Sequence, residues 1–152
     1  MKLSVIAVDY DGTIASNGRA HRAALDAIRD ARSRGIVVIL ITGRILPDLK
    51  RGLPEPDIFD GIVAENGAVL VFPNGGVRTL GRPAPRKLFD ALCRRRNVPV
   101  TFGECVIEAD ANAAWNLLSL VRELELPLVV HFNGNRVMLL PQGISKATGL
   151  RA

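Results

Sequence analysis

Asp9 and Asp11 stand one residue apart at the end of the apolar run Leu3 to Val8, directly ahead of Gly12 and Thr13. In extended backbone, positions i and i+2 point to the same side. Two carboxylates at this spacing can therefore approach one hard cation such as Mg²⁺, which takes oxygen ligands and keeps several waters. Gly12 permits a tight turn whose N–H groups can face an anion, and Thr13 adds a hydroxyl at the same place. One reading is a metal beside a phosphate cradle. The other is an Asp-rich turn that caps a strand.

Two further groups could join this chemistry. Thr42-Gly43-Arg44 closes the apolar run Ile36 to Ile41, which places a hydroxyl, a glycine N–H and a guanidinium where negative charge can be held. Thr42 could equally be a cap of the short helix that follows. Lys146 stands at the start of a helical segment near the end of the chain, where an ammonium can meet phosphate as a point charge or remain a solvated surface lysine.

The elements that must position these residues are legible from patterning. Leu3 to Val8, Ile36 to Ile41 and Gly61 to Ala64 are short apolar, β-branched runs of the kind buried in parallel sheets. Between the first two, Ala24, Leu25, Ala27, Ile28 and Ala31 follow helical spacing over His21 to Arg34, with Gly35 where a C-terminal cap belongs. A short helix is expected over Pro47 to Arg51. Strands alternating with helices in this way predict a βαβ series and an α/β, Rossmann-like parallel sheet. Its strands end in acid or Thr-Gly, at the edge where open sheets hold ligands.

The texture changes after Gly67. Ala68 to Phe72 and Val77 to Leu80 flank Pro73-Asn74-Gly75-Gly76, a hairpin signal. Beyond the linker Gly81 to Pro85, the expected order is helix (Arg86 to Arg96), strand (Val100 to Glu108), helix (Ala111 to Leu124), and two strands (Pro127 to Phe132 and Arg136 to Leu140) joined at Asn133-Gly134-Asn135. This is a small α+β insert with an antiparallel sheet. The expected division is a core of residues 1–81 and 141–152 interrupted by an insert of 82–140. Ser145 is the expected N-cap of the last helix.

Composition narrows the function. The 152 residues are 48% hydrophobic and 23% charged, the balance of a globular domain. No apolar run approaches the roughly 18 residues of a membrane span, and no signal-peptide pattern follows Met1-Lys2, so the expectation is a cytoplasmic protein without membrane partners. Cys93 and Cys105 lack metal-site spacing. The net charge of +5 comes from scattered residues, apart from Arg94-Arg95-Arg96 at a helix end, and only 5% of residues are aromatic. That pattern argues against nucleic acid and suits a small anionic substrate.

V-D-Y-D-G-T, I-T-G-R and G-I-S-K-A-T, in that order, resemble the first three motifs of the haloacid dehalogenase-like superfamily of phosphatases and phosphotransferases. A-E-N-G-A at 64–68, followed by a hairpin and an insert ending in L-L-P-Q-G-I-S-K, further resembles the type IIB (Cof-like) branch, whose α/β cap lies between the second and third motifs. The short cap is similar to that of archaeal-type phosphoglycolate phosphatases and related sugar-phosphate phosphatases. The resemblance implies a Mg²⁺-dependent phosphatase of a small phosphorylated metabolite. In it Asp9 would be the nucleophile, forming an aspartyl phosphate, and would ligate the metal. Asp11 would be the general acid and base and a second metal ligand. Gly12, Thr42, Gly43 and Lys146 would bind phosphate, and Arg44 and Asn66 would line the entrance for the rest of the substrate.

The same resemblance places substrate choice in the cap, where Glu104, Glu108, His131, Asn133 and Arg136 are the candidates. His131, inside Val129-Val130-His131-Phe132, reads first as an ordinary sheet histidine. The family's fourth motif, an apolar strand ending in Gly-Asp that supplies further metal carboxylates, has no counterpart after Lys146. Two expectations follow. The chain corresponds to the front part of such a protein, or to a degenerate relative that binds phosphometabolites without turnover. Its first strand would also keep an unpaired edge, open to a second copy of the chain.

Overall fold

A computed structural model describes residues 4–152. Leu3, the first residue of the expected opening strand, and Met1-Lys2 lie outside the described residues. The chain begins with β1 (Val5–Asp9), a two-stranded ribbon β2 (Ala15–Ser16) and β3 (Arg19–Ala20), α1 (Arg22–Ser33), β4 (Val37–Ile41), α2 (Leu46–Gly52) and β5 (Gly61–Ala64). β6 (Val69–Val71) and β7 (Val77–Thr79) follow. The five longer strands form one sheet in the order β1-β4-β5-β6-β7. β1, β4 and β5 run parallel, while β6 and β7 add to the far side as an antiparallel hairpin. The sheet is therefore mixed. Its parallel half carries the motif loops, because every parallel strand delivers its carboxyl end to the same edge.

The apolar spacing read in the sequence is the spacing that packs. Leu25 and Ile28 of α1 join Val38 and Leu40 of β4, Leu46 and Leu49 of α2, and Ile62 of β5 in one buried cluster. Asp60 fastens the helix layer to the sheet, accepting from the Val38 N–H at 2.8 Å and from Arg32 at 2.9 Å. β1 is at the sheet's edge, and Val5 on it is 52% exposed. The ribbon β2–β3 was not foreshadowed by any hydrophobic pattern. It forms because Ile14 and Ala15 both return their N–H groups to Tyr10 O, which turns the chain back on itself.

The second sheet comes from the insert: α3 (Arg86–Arg95), β8 (Thr101–Phe102), β9 (Ile107–Asp110), α4 (Ala114–Glu123), β10 (Leu128–Asn133) and β11 (Arg136–Pro141). Its order is β10-β11-β9-β8, antiparallel throughout. The single strand expected over Val100 to Glu108 is two strands, because residues 103–106 turn away to meet the buried carboxylate of Glu65, which follows β5. Along β11 the side chains alternate. Val137 and Leu139 pack with Phe89, Leu117 and Leu120 of the insert's own helices, whereas Met138 and Leu140 pack into the cluster of the first sheet. One face of this sheet therefore looks back toward the loops after β1 and β4. α5 (Lys146–Arg151) closes the chain, with Ser145 as its N-cap in a capping box with Thr148. Among the described residues, no helix is long and apolar enough to cross a membrane.

Candidate active site

Asp9 ends β1 opposite Ile41 of β4. Tyr10 behind it is fully buried, so the two acids beside it turn to the open side, where their side chains are 45% and 51% exposed. Lys146 Nζ donates to Asp9 Oδ1 at 2.7 Å. The lysine is held there by the seating of α5. Gly67 has a φ of +103°, and a Cβ on it would lie 1.9 Å from Ser145 O. Only glycine fits that position on both counts.

Asp11 meets a different cation. Arg44 Nε and Nη2 donate to its two carboxylate oxygens at 2.8 and 2.7 Å, the bidentate geometry that arginine alone provides. The guanidinium also lies over the Tyr10 ring, 5.1 Å from its centroid, and packs against Gly18 at the tip of the β2–β3 ribbon. The hydrogen bond to Asp11 raises the Arg44 pKa further above its ordinary value, against the opposing effect of burial. Burial raises the Tyr10 pKa, with Arg44 opposing. Arg44 is thus clamped on Asp11.

Thr42 is 1% exposed, and its hydroxyl oxygen accepts the Arg44 N–H at 3.1 Å. It therefore shapes the turn, and its own O–H remains able to donate. Gly43 lies so close to Asn66 that a Cβ would be 3.0 Å from Asn66 Oδ1. Asn66 itself reaches the insert, donating from Nδ2 to Met138 Sδ at 3.3 Å. The Gly12 N–H, expected to face an anion, instead donates to Ala15 O at 3.0 Å. The β2–β3 turn takes up that donor, and with a φ of +75° Gly12 serves the turn's conformation.

Asp11, Gly43 and Arg44 line a cleft of about 270 Å³ whose other wall is the insert's sheet, through Glu108, Asn133, Arg136 and Met138. Arg136 Nε donates to Glu108 Oε1 at 2.6 Å. Three of the cap candidates therefore reach the site. His131 is exposed on the edge strand β10, paired in register with Met138, and Glu104 is exposed with its N–H turned inward.

The donors here suit a hard divalent cation in kind, since Asp9 and Asp11 are half-exposed carboxylates at the end of β1 and directly beyond it. In number they fall short. Among the described residues, no three acidic, His or Cys groups converge as a metal site.

Sequence reasoning missed Glu65. It is fully buried and accepts four backbone N–H groups, from Leu46 and Glu104 at Oε1 and from Cys105 and Val106 at Oε2. The available signal was an acid inside Ala64 to Ala68, following a buried strand with no basic residue nearby.

A sheet whose parallel strands β1, β4 and β5 carry acids at the end of the first and a Thr-Gly-Arg turn after the second, joined by a returning lysine, is the arrangement of the haloacid dehalogenase-like fold. A family model described as haloacid dehalogenase-like hydrolase matches residues 6–92, more than half of the chain, and the chain belongs to that family. It is similar to the phosphoglycolate phosphatase of Methanobrevibacter smithii, 39% identical over 75 residues that cover 49% of this chain and 32% of the relative. A phosphoglycolate phosphatase of Methanothermobacter thermautotrophicus is 41% identical over 80 residues, covering 52% of this chain and 36% of that one. The match thus spans about a third of the length of these relatives. In fold the chain is similar to a subclass IIB sugar phosphatase of the superfamily, with a TM-score of 0.68 at 16% identity over 97% of this chain and 74% of the other.

Proposed function

We propose that this chain carries the nucleophile, the proton-transfer acid and the phosphate-holding cation of a Mg²⁺-dependent phosphatase for a small phosphorylated metabolite, such as phosphoglycolate or a sugar phosphate. The observation that supports it most is the pairing of Lys146 with Asp9, beside a second acid, Asp11, that faces a substrate-sized cleft. The names of the two methanogen phosphatases and of the sugar phosphatase motivate the substrate class.

On this reading an Asp9 carboxylate oxygen attacks phosphorus, and the ester oxygen leaves with the proton of Asp11. Asp11 then takes a proton from water as that water attacks the aspartyl phosphate, which returns Asp9 and releases phosphate. Lys146 neutralises charge on the phosphoryl oxygens, and Thr42 can donate its O–H to one of them. Mg²⁺, bound when present by Asp9 and the Asp11 loop, would supply Lewis-acid neutralisation of the phosphoryl group. Arg44 must share or release Asp11 when an anion enters the cleft.

A second reading has one observation in its favour: two carboxylates, one of them already held by an arginine, make a sparse metal site. It is a module that binds phosphometabolites without turnover. Phosphate release from phosphoglycolate and sugar phosphates, with and without Mg²⁺, separates the two. Turnover that disappears in Asp9→Asn supports the hydrolase, and equal release by both proteins rejects it. Calorimetric binding of the same esters without release supports the module. The open edge of β1 is where a second copy of the chain could pair.

A further inference from the structure

We infer that Glu65 is a positioning residue, whose buried carboxylate fastens the 103–106 turn of the insert to the core and so sets the insert's sheet over Asp11 and Arg44. This goes beyond the hydrolase reading, because it concerns how the two sheets are held whatever reaction the cleft performs.

The contacts are distributed across three separate pieces of chain. Glu65 follows β5 in the core. Its Oε1 accepts from Leu46, the first residue of α2, at 3.1 Å and from Glu104 at 2.8 Å, while Oε2 accepts from Cys105 at 2.9 Å and Val106 at 3.0 Å. A carboxylate fully out of water is tolerated only where its oxygens are hydrogen-bonded, and here four N–H groups meet that need. The insert is built to receive it. A Cβ on Gly103 would lie 2.3 Å from Oε1 and 2.6 Å from Oε2, so the turn approaches this closely only because residue 103 is glycine.

The turn does not merely touch the core. Cys105 and Val106, 3% and 1% exposed, are buried in the core's apolar cluster alongside Met138 and Leu140. β9 leaves this turn and carries Glu108 one residue past Ile107, and β11 beside it carries Arg136 and Met138. The wall of the cleft is therefore a direct extension of the turn that Glu65 holds. A rotation about the linker at 81–85 that opened the cleft would have to strip three N–H groups from a carboxylate that has no water in reach.

The two native cysteines supply the test. Cys105 lies in the fastened turn, whereas Cys93 is 1% exposed in the insert's own core. Glu65→Gln keeps the shape but replaces one accepting oxygen by a group that cannot accept. Alkylation by iodoacetamide, with each site quantified by mass spectrometry, should accelerate at Cys105 by about tenfold or more through local opening while Cys93 stays at its native rate. Gly103→Ala, which presses on the carboxylate from the other side, should do the same. Unchanged Cys105, or equal acceleration of both cysteines in both variants, overturns the inference, the latter by showing a general loss of stability.

A second readout addresses positioning. In calorimetry, Glu65→Gln should weaken phosphoglycolate by about tenfold, as for a loss of roughly 1.4 kcal/mol, and leave inorganic phosphate within about twofold. Equal weakening of both overturns the positioning role. If the unaltered protein binds neither, the hydrolase reading fails, and the cysteine measurement still decides whether Glu65 holds the turn.

Discussion

Lys146 Nζ lies 2.7 Å from Asp9 Oδ1 although 137 positions separate them. Both side chains are more than 40% exposed, so the pair contributes at most about 1 kcal/mol to folding once solvent screening is counted. The contact therefore adds little to stability. On the proposed phosphatase reading, it holds a cation where an incoming phosphoryl group would meet the negative charge of Asp9.

Lys146→Ala should therefore leave the melting temperature nearly unchanged and lower phosphate release by roughly 10²–10³, the usual cost of removing a group that stabilises transition-state charge. Thermal unfolding and a steady-state assay on the same preparation check it. A large loss of stability with activity retained would show that the lysine is a structural element.

The seat of that lysine is as specific as its charge. Gly67→Ala must displace α5, because the new methyl carbon would fall on Ser145 O, and the backbone there is left-handed as well. The expected outcome is a loss of about 2 kcal/mol or more in urea unfolding, together with loss of phosphate binding although Lys146 and Asp9 are both intact. Gly35→Ala is the comparison. Its φ is +76° but nothing lies within 4 Å of a new Cβ, so about 1–2 kcal/mol of backbone strain is expected with phosphate binding retained.

Arg44→Lys tests the clamp on Asp11. A lysine can hold one carboxylate oxygen as a point charge but cannot bond both, and it stacks less well on the Tyr10 ring. Phosphate release should fall by about tenfold, equivalent to roughly 1.4 kcal/mol of barrier. Full activity in the lysine variant would show that the orientation of Asp11 does not depend on its arginine.

How much of this was legible in the sequence follows the range of each interaction. The acids after β1, the Thr-Gly-Arg turn after β4, β5 from Gly61 to Ala64, and the capped final helix depend on periodicity and local turn chemistry, and all were readable. The break in the strand expected over Val100 to Glu108 was not, because the force that bends it comes from Glu65, about forty residues away. Arg44, expected at the entrance, does line the cleft, but its hold on Asp11 was not readable, because sequence gives no sign of a bidentate partner. Gly12 was read as an anion donor because a turn glycine and a ligand-facing glycine have the same local signature, and only the β2–β3 ribbon shows where its N–H goes.

Stability should also decline on the alkaline side, for a reason separate from the site. Burial, aided by Asp90, pushes the Cys93 thiol up to about 11 from an ordinary 9.0, and burial raises Cys105 and Tyr10 in the same direction. A raised pKa in the fold means that the unfolded chain ionises first as pH rises. The stabilisation of the neutral thiol is therefore complete below pH 9.0 and is lost as pH climbs through about 11. For Cys93 alone the change is on the order of 3 kcal/mol. Urea unfolding at a series of pH values across this window should show the decline in the unaltered protein. The stability difference between it and Cys93→Ala should shrink by that amount from the low end to the high end, because alanine has nothing to ionise. A difference that stays constant with pH would show that the Cys93 thiol ionises in the folded protein as readily as in the unfolded chain.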